Sequence, residues 1–166
     1  LILGENVEQT YGRIISMLSI LFEKNIIPII IGGSHDLLYA NYRAYDSFKS
    51  TVNIVNIDSN FDIGDSAKPI NNLSYLGKII LDEPHNLFNY SNLGYQTYHN
   101  SQEEIDLMEN LYFESYRLGE VCSNIRLSEP VMRDADIVSI DLKSVRASEL
   151  SSRQKFSPNG FDGKEI

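Results

Sequence analysis

Acidic and imidazole side chains follow the short apolar runs of this sequence. The run Ile26-Ile27-Pro28-Ile29-Ile30-Ile31 leads into Gly32-Gly33-Ser34-His35-Asp36. A second run, Val52 to Ile57, leads into Asp58-Ser59-Asn60-Phe61-Asp62, and Ile137-Val138-Ser139-Ile140 leads into Asp141. Carboxylates and imidazole gathered at one sheet edge suit a divalent metal such as Mn²⁺. The spacing Asp58-x-x-x-Asp62 lets both carboxylates return to one point if the chain turns after the strand. Each residue also has a plainer use. A histidine after a glycine pair can start a helix or fill a packing gap, and a single aspartate at a strand end can cap a turn.

The elements that must carry these residues are legible as patterns. Ile14, Ile15, Leu18, Leu21 and Phe22 recur at helical spacing, which predicts an amphipathic helix over 7–24. The continuous apolar run 26–31, rich in β-branched residues, predicts a strand buried on both faces, with Pro28 near its start or an edge. Further helices are expected over 37–48, 113–125 and 128–133. Another, over 101–111, opens with a Ser101-x-x-Glu104 capping box. Further strands are expected over 52–57, 93–98 and 136–142. The segment 71–98 has little regular pattern and reads as a long surface connection. Alternating strands and helices predict a three-layer α/β/α fold with a mainly parallel sheet, in one domain over 1–166. In such sheets ligands bind beyond the carboxyl ends of the strands.

Bulk composition narrows the partners. A 42% hydrophobic chain of 166 residues has enough apolar side chains for one core. The net charge of −9 opposes polyanions, so neither nucleic acid nor an anionic membrane surface is an expected partner. The single cysteine, Cys122, cannot form an internal disulfide, which fits a reducing compartment such as the cytoplasm. No apolar run is long enough to span a bilayer, and no signal peptide opens the chain. The sequence starts at Leu1 and stops at Ile166 within a motif, so it reads as a fragment of a fuller domain.

Gly32-Gly33-Ser34-His35-Asp36, Asp58-Ser59-Asn60-Phe61-Asp62 and Ser139-Ile140-Asp141-Leu142-Lys143 resemble the three signature motifs of the arginase/agmatinase/formiminoglutamase (ureohydrolase) family, in the family's order. Asn159-Gly160-Phe161-Asp162-Gly163-Lys164-Glu165 resembles a fourth, which carries a substrate-binding glutamate. The resemblance implies an arginase-like fold, a homo-oligomer, and hydrolysis of linear C–N bonds in a guanidino or formimino compound by metal-activated water. It implies metal ligands at His35, Asp58, Asp62 and Asp141. Asp62 would also accept a proton, and Glu165 would bind the substrate's cationic nitrogens. Phe61 in the second motif is similar to the formiminoglutamase branch, which makes formiminoglutamate the first choice of substrate.

The family binds two Mn²⁺ ions, and its second metal takes a histidine and an aspartate where this chain has Asn60 and Lys143. An ammonium there takes the place of a cation. Three aspartates carry three negative charges, and one divalent ion plus Lys143 carries three positive. The expectation is one Mn²⁺ per chain, either in an active hydrolase or in an inactive scaffold in which Lys143 closes the old second site. Arg146 and Arg153 follow the third motif and are candidates for a substrate carboxylate. Tyr90, Tyr95 and Tyr98 read as packing residues, and His85 and His99 lack matching metal partners.

Overall fold

A computed structural model describes residues 2, 4–48, 50–65, 67–150 and 157–166. Arg153 therefore lies outside the described residues. The chain divides into two compact units, Leu1–Val52 with Asp62–Leu87 and Asn53–Phe61 with Phe88–Ile166.

The first unit is helical. Helix α1, Val7–Glu23, starts where the Asn6 side chain accepts a hydrogen bond from Gln9 N at 2.8 Å. Its inner stripe, Tyr11, Ile14 and Leu18, packs on Ala40 and Ala44. Helix α2, Leu37–Arg43, tightens into a 3₁₀ turn at Ala44–Phe48, so the helix expected over 37–48 is two pieces. Helix α3, Tyr75–Leu81, buries Tyr75, Leu76 and Ile79. A Cβ at Gly77 would sit 2.3 Å from the Ile63 carbonyl oxygen, so only glycine lets α3 come this close to the backbone after Asp62. There Leu76 N donates to Asp62 O at 3.2 Å.

The second unit holds a four-stranded sheet in the order β3-β2-β1-β4: β1, Val52–Ile57; β2, Leu87–Tyr95; β3, Glu114–Arg117; and β4, Ile137–Ile140. β1 pairs parallel with β4 and β2 parallel with β3. Bonds from Val52 N to Asn86 O and from Asp58 N to Leu93 O run upward in both strands, as a parallel pair requires. Helices α4 (Gln102–Asn110), α5 (Leu118–Ser123) and α6 (Ser128–Arg133) connect the strands, and the capping box at Ser101 and Glu104 is formed. Val55, Ile57, Leu93, Leu118, Val121 and Phe161 form one buried apolar cluster of this unit. No helix among the described residues is long and apolar enough to cross a membrane.

Four expectations need correction. The run 26–31 is no strand: Ile27 and Ile31 are 91% and 96% exposed, and it has no strand partner among the described residues. Apolar composition makes a strand only where a neighbouring edge supplies hydrogen bonds, and none of the four strands pairs with this run. The segment 71–98 is not a loop but holds α3 and all of β2. The strand expected over 93–98 starts six residues earlier, at Leu87, and gives way to a 3₁₀ turn at Thr97–His99. The helix expected over 113–125 is strand β3 followed by α5, because tertiary pairing with β2 overrides the local pattern.

Candidate metal centre

In the second unit, parallel pairing brings two aspartates side by side. Ile57 stands opposite Ile140, and Asp141 N donates to Ile57 O at 3.0 Å. Asp58 and Asp141 therefore leave adjacent strands at the same level. Asp58 is fully buried, and its Oδ1 accepts from Asn60 N at 3.1 Å, which bends the chain back after β1. Asn100 fixes that bend from outside. Its Oδ1 accepts from Phe61 N at 2.8 Å and its Nδ2 donates to Ser59 O at 3.0 Å. Phe61 is buried against Tyr95, with ring centroids 4.9 Å apart.

Asp141 caps the turn that follows β4. Its Oδ1 accepts from Lys143 N at 2.8 Å, and its Oδ2 lies 3.1 Å from Lys143 Nζ. The sequence places Lys143 beside Asp141 by strand alternation; in the structure a 3₁₀ turn at Leu142–Ser144 does so instead. Asn60 is occupied in hydrogen bonds. Its Oδ1 accepts from Ser59 Oγ at 2.8 Å and its Nδ2 donates to His99 O at 3.2 Å. His99 thus meets this loop through its carbonyl rather than its ring.

The fourth motif is anchored to the third. Phe161 N donates to Ser144 O at 2.8 Å, Arg146 N donates to Phe161 O at 3.0 Å, and Val145 forms a parallel bridge with Phe161. The Phe161 ring lies where a Cβ on Gly94 would be, 2.4 Å away, and Gly94 has φ +102°. Arg146 Nη1 pairs with Asp162 Oδ1 at 2.8 Å. Glu165 Oε2 accepts from Asp162 N at 2.7 Å and from Cys122 Sγ at 3.7 Å. Partial burial and the Glu165 carboxylate push the Cys122 thiol up, which disfavours the nucleophilic thiolate.

In the first unit, His35 Nδ1 lies 3.8 Å from Asp62 Oδ2, and the His35 ring packs on Tyr75 at 4.8 Å. Asp62 is 3% exposed and has φ 55°, a left-handed turn that aspartate tolerates. Tyr11 donates its phenol hydrogen to Asp36 Oδ2. No local pattern marks Tyr11, Tyr75 or Asn100, because each reaches its partner across 25 residues or more.

Residues 3–157 match the model of the arginase family. Over 118 residues the chain is 29% identical to the formimidoylglutamase of Macrococcus caseolyticus, a match that covers 70% of this chain and 36% of that protein. The crystal structure of Trypanosoma cruzi formiminoglutamase with Mn²⁺ superimposes with a TM-score of 0.87 at 16% identity, covering 99% of this chain and 58% of that one. The formimidoylglutamase of Bacillus subtilis gives 0.80 at 18% identity, covering 99% and 55%. This chain thus spans little more than half of these structures and about a third of the M. caseolyticus protein. It has their α/β fold, and it belongs to the arginase family.

Proposed function

We propose that His35, Asp58, Asp62 and Asp141 hold one divalent ion, Mn²⁺ by preference, in a hydrolase of linear C–N bonds. The observation that carries this reading is the burial of Asp58 and Asp62 at the ends of one five-residue loop. Four residues reach at most about 14 Å, so the loop tethers the two carboxylates. Buried carboxylates require a compensating cation. Three carboxylates and one imidazole are a donor set that fits Mn²⁺. When bound, the ion would polarise the substrate and lower the pKa of water at the site.

The chain's own groups do the rest. Asp62, 3.8 Å from the His35 Nδ1, would accept a proton from the attacking water. Glu165 would receive the substrate's cationic nitrogens. Arg146 is the candidate for a substrate carboxylate, which would compete there with Asp162. Formiminoglutamate is the substrate this reading favours, on the strength of the formiminoglutamase relatives. The ion pair of Lys143 with Asp141 supports a single ion, and it also supports a second reading, an inactive scaffold. Assays of Mn²⁺-loaded protein on formiminoglutamate, agmatine and arginine separate the two. Turnover of formiminoglutamate that is lost in Asp62→Asn is expected; no turnover of any of the three favours the scaffold.

A further inference from the structure

We propose that Tyr11 is a positioning residue for His35, acting through Asp36. The inference rests on His35 being a metal ligand. Asp36 directly follows His35 and occupies the N-cap position of α2, yet its carboxylate makes no cap hydrogen bond. An aspartate there ordinarily accepts from the first-turn N–H groups. Here the carboxylate, 8% exposed, instead accepts the phenol of Tyr11 from α1, itself 7% exposed. The turn is wound by backbone alone, with Leu38 N donating to His35 O and Tyr39 N to Asp36 O, both at 3.0 Å. The peptide that carries His35 is thus held from one side by α1, while Tyr75 holds the imidazole ring.

Removing the phenol oxygen leaves a buried carboxylate without its Tyr11 partner, and the first-turn N–H groups of α2 do not replace it, because Leu37, Leu38 and Tyr39 N already donate to the Ser34, His35 and Asp36 carbonyls. A buried carboxylate that loses its donor is expected to turn towards water, shifting the 35–36 peptide and with it the imidazole. Groups that orient a metal-ligating histidine typically change metal affinity by roughly 10–100-fold when removed. Tyr11→Phe deletes only the hydroxyl. Asp36→Ser removes the carboxylate that Tyr11 holds while keeping a residue type favoured at helix starts, so it keeps α2 folded even if Tyr11→Phe does not fold.

The test is Mn²⁺ titration of the wild type, both single variants, the double variant and His35→Ala, with ¹⁵N-histidine spectra of the metal-free proteins. Each single variant should weaken Mn²⁺ binding about tenfold or more. The double variant should lose no more than either single change, and the His35 ring signals should shift in all three. Unchanged affinity in the folded variants, with intact His35-dependent binding by the wild type, overturns the Tyr11 role alone. Wild-type protein that binds no Mn²⁺, or binds it equally after His35→Ala, overturns the metal-site reading and this inference together.

Discussion

Lys143 bears on how many cations the Asp141 carboxylate meets. Its ammonium lies 3.1 Å from Asp141 Oδ2, with the two side chains 29% and 12% exposed. A pair this far from solvent falls between exposed pairs, worth about 0–1 kcal/mol, and fully buried ones, which cost about 3–5 kcal/mol to break. Lys143→Met should therefore destabilise the metal-free chain by on the order of 1–3 kcal/mol, read from the denaturant midpoint. A midpoint equal to the parent's would make Lys143 a bystander. The candidate site was legible because His35, Asp58, Asp62 and Asp141 stand in short motifs at the ends of apolar runs. What supports them was not. Tyr11, Tyr75 and Asn100 act across the fold, and no local spacing announces such contacts.

Helix α2 is tied to the start of the loop after α3 by Tyr39, whose hydroxyl donates to Asp82 Oδ2 at 2.9 Å. Burial, and then that hydrogen bond, push the Tyr39 phenol up to about 12 from its ordinary value of 10.0. The sign follows from linkage. The folded state holds its proton more tightly, so this contribution is whole below pH 10 and fades as pH rises towards 12. Stability should fall through that window, and less steeply in Tyr39→Phe; equal alkaline slopes by denaturant titration would count against the contact. Elements with strong local signals were legible: α1 from its apolar stripe, α4 from its capping box, β1 and β4 from their β-branched runs. Those fixed by non-local pairing were not. β3 is only four residues long and exists through β2, and the run 26–31 reads as a buried strand yet has no pairing partner among the described residues.

Across the whole chain, the break between the two compact units falls between Phe61 and Asp62, inside the second motif itself. The proposed function requires His35, Asp58, Asp62 and Asp141 to serve one ion, so metal should stabilise the chain by mass action. The most direct measurement is elemental analysis of Mn²⁺ per chain after exhaustive dialysis, for the wild type and for His35→Ala. One equivalent in the wild type, lost in His35→Ala, is the expected result. Two tightly held equivalents, or one that survives His35→Ala, would contradict the single centre built on His35, Asp58, Asp62 and Asp141.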